Sequence, residues 1–257
     1  MKYSGFVSAA ILAAGLPFAA AAPVLAQTPP AAAETALSPI AAVFQENAVH
    51  TFTPVEQALI QDVLEQTHAA VRAYFPDLAD PVTVTVVPVD RDLSSVGGVS
   101  GRANAPGEIL IELSPHHEGG IAGAVSDGLA PAFAHELHHL VRGWTISGNR
   151  HGPGIAIAAA NEGLAVVFAE WLTGSAHDGN APPPAEVALD WAREIRALPL
   201  DADYVEWMFA HPDGREAVGY RTGQFIVRRA MANSGRDPVS LTQATPQEIW
   251  ALAEIGD

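Results

Sequence analysis

His135-Glu136-Leu137-His138-His139 sets two imidazoles four residues apart, with a glutamate directly after the first. On an α-helix, positions i and i+4 lie about 40° apart and one turn apart along the axis. Both rings can then reach one zinc ion at about 2.0–2.1 Å, while Glu136 stands beside them, placed to take a proton from a water. The neighbouring residues suit such a helix. Phe133, Leu137, Leu140 and Val141 fall on the arc opposite the ligand pair, and Asp127 is positioned to cap the start. Pro131 stands in the tolerant first turn and Gly143 closes the end. His138 lies about 60° off the pair and reads as a residue that supports a ligand or is simply packed, rather than as a ligand.

A third protein ligand is required. Arg142 and Thr145 occupy the positions where an all-histidine site would carry its Gly and last His, so that variant is excluded. Glu162 is the better candidate. It lies in Gly154 to Leu172 (GIAIAAANEGLAVVFAEWL), a helix with almost no polar face. An ionised carboxylate buried there is costly unless a cation or donor compensates it. Glu170, about 12 Å further along the same helix, and His151, in the loop 144–153, are rivals. A buried Glu162 paired with an arginine is the plainer reading.

The motif His135-Glu136-Leu137-His138-His139 followed by Asn161-Glu162-Gly163-Leu164-Ala165 resembles the gluzincin group of zinc metallopeptidases. With the later Val218-Gly219-Tyr220-Arg221-Thr222-Gly223-Gln224-Phe225-Ile226-Val227, it is similar to a bacterial family of predicted zinc-dependent proteases, over roughly Thr53 to Ser234. The resemblance implies one Zn2+ per chain held by His135, His139 and Glu162, and a peptide or protein substrate. It also implies hydrolysis by a zinc-activated water, with Glu136 as general base. Tyr220 is the first choice for the donor to the developing oxyanion, and His211 an alternative. Arg142, on the ligand-side arc, could bind a substrate carboxylate; an ion pair with a nearby acid is its plainer use.

The chain departs from thermolysin-like gluzincins at Val166, where those enzymes carry an Asp that orients a ligand histidine. Asp127, Glu170 or backbone carbonyls are the candidate substitutes. It also has no G-x-M-E-N exopeptidase motif. Two other functions fit the same motifs: a non-catalytic metal- or peptide-binding module, and a zinc hydrolase of amide bonds outside proteins, such as cell-wall peptides.

These residues need a frame that holds two helices side by side. Thr53-Pro54-Val55-Glu56 is a capping box that opens a helix to about Phe75, with Val55, Leu59, Val63, Val71 and Tyr74 on its apolar side. Val82 to Val87 and Glu108 to Leu113 alternate as strands; the Gly-rich segment Val96 to Asn104 reads either as an edge on which an extended peptide could add or, equally, as a bulge or turn. From Asp127 onward the pattern is helical. The predicted class is α+β: a small antiparallel sheet and N-terminal helix packed on a mostly helical, zincin-like half.

The predicted organisation is a signal peptide over 1–26, a Pro/Ala-rich linker over 27–39 and a single domain over 40–257. Lys2, the apolar run Phe6 to Ala22 and Val24-Leu25-Ala26 form the leader, so the expected location is periplasmic or secreted, with no stable membrane anchor after cleavage. Its 257 residues include 29 acids against 13 Lys and Arg, a net charge of −16, which argues against nucleic-acid partners. With no cysteine, thiolate metal sites, disulfides and cysteine nucleophiles are excluded, and any transition-metal site must use His, Asp and Glu. His116-His117-Glu118, between Pro115 and Gly119, reads as a solvated loop.

Overall fold

Apolar alternation in Val82–Pro88 (β2) and Glu108–Leu113 (β4) buries every second side chain of each strand. In the computed structural model, which describes residues 38–255, these strands form the centre of a four-stranded sheet ordered β1-β2-β4-β3. The expected leader and nearly all of the linker lie outside the described residues. Strand β1 (Ile40–Phe44) and β2 run parallel, as do β2 and β4; only β3 (Val99–Ala105) is antiparallel to its neighbour β4. The α+β class is observed, but the sheet is mixed rather than antiparallel. The helix between β1 and β2 makes the crossover that brings β2 back parallel to β1, and β3 pairs on the outer side of β4 rather than between β2 and β4, which leaves those two parallel.

That helix is α1 (Pro54–Arg72), opened by the reciprocal Thr53/Glu56 capping box. It buries Ile60, Leu64, Thr67, His68 and Val71, whereas Val55 and Leu59, expected on the apolar side, are exposed, as is Tyr74 beyond its end. The predicted stripe is therefore rotated. Spacings of four and three residues from Ile60 define the true buried face, and the exposed apolar residues at 55 and 59 belong to a neighbouring one.

The chain next runs through α2 (Gly120–Ala124) and one wide turn over Val125–Leu129 into α3 (Ala130–Arg142), which carries the histidine motif. Asp127 does not cap α3, because the helical path is already under way at Gly120; its carboxylate instead pairs with His117. Pro131 does stand in the first turn, and Gly143 closes the helix at φ 66°, a left-handed conformation that favours glycine.

Helix α4 (Ile155–Thr173) is buried almost all round, including Asn161 and Glu162. Around it pack α5 (Ala185–Arg196), α6 (Tyr204–Met208), α7 (Val218–Ser234), α8 (Pro238–Leu241) and α9 (Pro246–Leu252). One apolar core lies among the sheet, α1 and α3; a second lies among α4 and the later helices. Phe168 of α4 joins the first core while Leu164 joins the second. Thus α4 is the shared wall between them.

Two glycines set how closely this wall meets α7. A Cβ on Gly223 would lie 2.0 Å from the carbonyl oxygen of Ala159, and one on Gly163 would lie 2.1 Å from the carbonyl carbon of Gly223. The helices therefore touch backbone to backbone. Because Glu162 precedes Gly163 and Tyr220 lies about one turn before Gly223, this close contact brings those two side chains together.

Candidate metal centre

The spacing in α3 and the burial of α4 produce one convergent group. Nε2 of His135 and Nε2 of His139 each lie 3.1 Å from Oε2 of Glu162, and the ring centroids of the two histidines are 4.4 Å apart. The three potential ligand atoms fall within 4.8 Å of one another. His139 and Glu162 are buried, whereas 15% of the His135 side chain is exposed, so the group opens to solvent on the His135 side.

The donor set fits a divalent metal on its chemistry. Burial alone would raise the pKa of Glu162, but His139 and His135 outweigh it and hold the carboxyl well below its usual range. Its described partners are His135, His139, Trp144 and Tyr220, so an arginine does not neutralise this buried carboxylate. Two imidazoles and one carboxylate, with the His135 side open, suit zinc well.

Glu136 lies on the next arc of α3, with 5% of its surface exposed. Burial, helped by the negative charge of Glu162 and opposed by His135, raises its carboxyl to about 7. The backbone N–H of Ala103 in β3 donates to it, and Oε2 has no hydrogen-bond partner. A Cβ on Gly101 would stand 2.7 Å from Cγ of Glu136 and 2.9 Å from Oε1. Strand β3 thus passes directly over this carboxyl, and a side chain at the crossing would push Glu136 from its place.

Tyr220 reaches the centre as expected from its motif. Its hydroxyl hydrogen-bonds Glu162, and burial together with the negative charge of Glu162 holds the phenol well above its usual pKa, so it remains a proton donor. Gly223 supplies the close approach to α4, while Gly219 packs α7 on α6, its Cβ position lying 2.0 Å from Sδ of Met208. That second contact places Tyr204 of α6 against Tyr220, to which it is hydrogen-bonded. Sequence reasoning missed Tyr204, since its place depends on how α6 docks.

Arg142 is not at the open side of the centre. Its Nε donates to Oδ1 of Asn161 at 2.9 Å and its Nη1 to the carbonyl oxygens of Thr242 and Ala244, with 5% of the residue exposed. A helical wheel puts it on the ligand-side arc, but at its level that arc is covered by α4 and the α8–α9 turn. The expectation that it binds a substrate carboxylate is therefore corrected: it ties α3 to α4 one residue before Glu162. The alternative of an acidic partner is not met either, as its partners are an amide and two carbonyls.

His138 is packed, as its angle predicts. It stacks on Phe168 at 4.8 Å between centroids and lies 3.0 Å from Oγ1 of Thr242. That hydroxyl already donates to Pro238, so the His138 Nε2–H must be the donor. The rival ligands lie elsewhere: Glu170 bonds Gln224 and Arg228, and His151 bonds the carbonyl of Arg142. His211 pairs with Asp213 in its turn, His116 with Asp90, and His117 with Asp127. None of the proposed substitutes orients a ligand ring: Nδ1 of His139 has no partner, Asp127 faces His117, and Glu170 faces α7.

Trp144, the second residue that sequence reasoning missed, donates its Nε1–H to Oε1 of Glu162 at 2.7 Å. Its signal lay in the left-handed Gly143, which turns the next residue back towards the motif helix.

A family profile described as "Predicted Zn-dependent protease (DUF2268)" matches residues 60–251, which include all of α3, α4 and α7. Neither a curated protein nor a solved structure matches the chain. The match spans most of the sequence and encloses the His135, His139 and Glu162 cluster, and the chain belongs to this family of predicted Zn-dependent proteases.

Proposed function

We propose that this protein is an exported zinc peptidase of gluzincin type, with His135, His139 and Glu162 as the ligands of one zinc ion. The observation that carries the reading is the meeting of both imidazole nitrogens on a single oxygen of a buried glutamate, with an unpartnered carboxylate oxygen of Glu136 nearby. Zinc bound there supplies Lewis-acid activation of a water and a carbonyl.

The chain's own residues supply the rest. Glu136 accepts the proton of the attacking water at Oε2 and returns it to the leaving amine. The Tyr220 hydroxyl donates to the oxygen on which charge develops, which requires it to exchange its Glu162 contact for the substrate. Tyr204 keeps Tyr220 oriented during that exchange. Strand β3 is an outer strand of the sheet, and the loop after α3 pairs with it only at Ala103 and Asn104, through Ile146 and Ser147. By strand alternation the peptide groups of Gly101 face the same side as those of Ala103, away from β4. An extended substrate segment added there would lie across Glu136. The leader residues support export and a periplasmic or secreted location.

The reading is tested with the 27–257 protein and an unfolded, labelled polypeptide. Hydrolysis should be lost on treatment with a zinc chelator and restored by equimolar zinc. Tight zinc binding with no hydrolysis over a broad peptide set would instead support the binding-module alternative. Gly101→Ala should lower kcat about tenfold or more, since the added methyl drives Glu136 from its place and general-base catalysis contributes about 10²–10⁴-fold. Its zinc content should match the wild type. An unchanged kcat would show that the Gly101 crossing does not position the base.

A further inference from the structure

We infer that Trp144 is the positioning residue of the metal centre, holding Glu162 by Oε1 so that Oε2 alone is presented to the metal. The inference rests on the zinc-site reading above and concerns how the third ligand is oriented.

Local structure places the indole there. Gly143, at φ 66°, reverses the chain at the end of α3, and the Trp144 backbone N–H then donates to the carbonyl of His139 at 3.0 Å. Position 143 favours glycine because of that positive φ, and the exposed guanidinium of Arg150 packs into the space a Cβ would take. The ring packs partly buried against the second core and reaches α4 with its Nε1–H 2.7 Å from Oε1 of Glu162. One residue therefore bridges the helix with the two histidines to the helix with the glutamate.

The chemistry of the donor makes the contact directional. An indole N–H donates and has no lone pair to offer a metal, so it cannot compete as a ligand. The two oxygens of Glu162 are thereby distinguished: Oε1 faces Trp144, and Oε2 is 3.1 Å from both imidazole nitrogens. The need for such a contact is visible as well. Val166 cannot orient a ligand histidine, and Nδ1 of His139 has no partner, so support from outside the ligand set falls on the glutamate. The Tyr220 hydroxyl also bonds Glu162, but it must leave for the substrate during turnover, so Trp144 is the partner that stays; without it the carboxylate can turn and offer both oxygens, which would take up the side of the metal left open for water.

Trp144→Phe keeps a ring and removes the N–H; the sulfur isostere benzothienylalanine at position 144 removes it with almost no change of shape. Zinc affinity is measured by competition with a chromophoric chelator, beside the thermal midpoint of the metal-free protein and the absorption of the Co2+-loaded form. Both replacements should weaken zinc binding about 10–100-fold, the range for partners that orient ligands. The metal-free midpoint should fall only slightly, by less than the affinity loss would require, and the Co2+ bands should lose intensity as coordination number rises. Unchanged affinity and spectrum in the isosteric variant would overturn the inference while leaving the zinc site standing. So would an affinity loss matched by an equal loss of metal-free stability. A wild-type protein that binds no zinc would overturn the site reading together with this one.

Discussion

Glu136→Gln is expected to lower turnover by about 10³-fold or more while zinc stays bound at the wild-type stoichiometry, since general-base catalysis is worth about 10²–10⁴ and the neighbouring carboxylate of the site, Glu162, is taken up as a ligand. Glutamine has nearly the same shape and its carbonyl can still accept from the Ala103 N–H, so the arrangement of β3 over α3 should survive. It cannot take a proton from water. The substitution also removes a buried carboxyl whose pKa lies near 7, above its unfolded value. A carboxyl raised in this way opposes folding once it ionises, and that penalty is complete above the folded pKa. In the metal-free protein at pH 8 the variant should therefore be at least as stable as the wild type. Steady-state hydrolysis, metal analysis and thermal denaturation of the apoprotein check the three statements. Turnover within tenfold of wild type would remove Glu136 from the chemistry.

Glu162→Ala should have the opposite signature. Its loss takes away one of three ligands, so zinc affinity should fall by more than about 100-fold, beyond the range associated with groups that only orient ligands. The substitution also leaves the Trp144 Nε1–H and the Tyr220 hydroxyl without their acceptor. In wild type, excess zinc should raise the thermal midpoint, because a ligand that binds only the folded state stabilises it by mass action. In the variant that rise should vanish over the same concentration range. Competition titration and zinc-dependent melting measure both effects, and a retained rise would show that Glu162 is not a ligand. Together the pair separates roles: one variant holds metal without turnover, and the other loses both.

Much of the centre could be read before the fold was known, because helical periodicity is a local property. The four-residue spacing of His135 and His139 needs only a helix, and the nearly uninterrupted apolar stretch around Glu162 marks that carboxylate as one that must be compensated. Tyr220 followed from glycines that allow two helices to touch, although Gly219 and Gly223 turned out to face different neighbours. What sequence missed depends on docking between elements. Arg142 sits on the ligand-side arc, yet the α8–α9 turn, about a hundred residues away, supplies carbonyls that claim it. The indole of Trp144 and the phenol of Tyr204 enter the site only through a chain reversal and a helix–helix contact.

The same distinction explains the fold. The alternation of β2 and β4 was legible, whereas the direction of pairing was set by the crossover through α1 and by the place of β3 outside β4. Strand β1 has a weak signature of its own: only Ile40 of its five residues is fully buried, and its place comes from pairing with β2. Long apolar character alone is equally ambiguous. Helix α4 has the length and hydropathy of a membrane span, yet it is a core helix enclosed by its neighbours, with 72% of its most apolar window buried.

The most direct test is the elemental analysis of the 27–257 protein purified without added metal and then dialysed against zinc. The account predicts one zinc per chain, retained through gel filtration. A protein that remains folded but carries no stoichiometric zinc, or any other divalent metal, would contradict it.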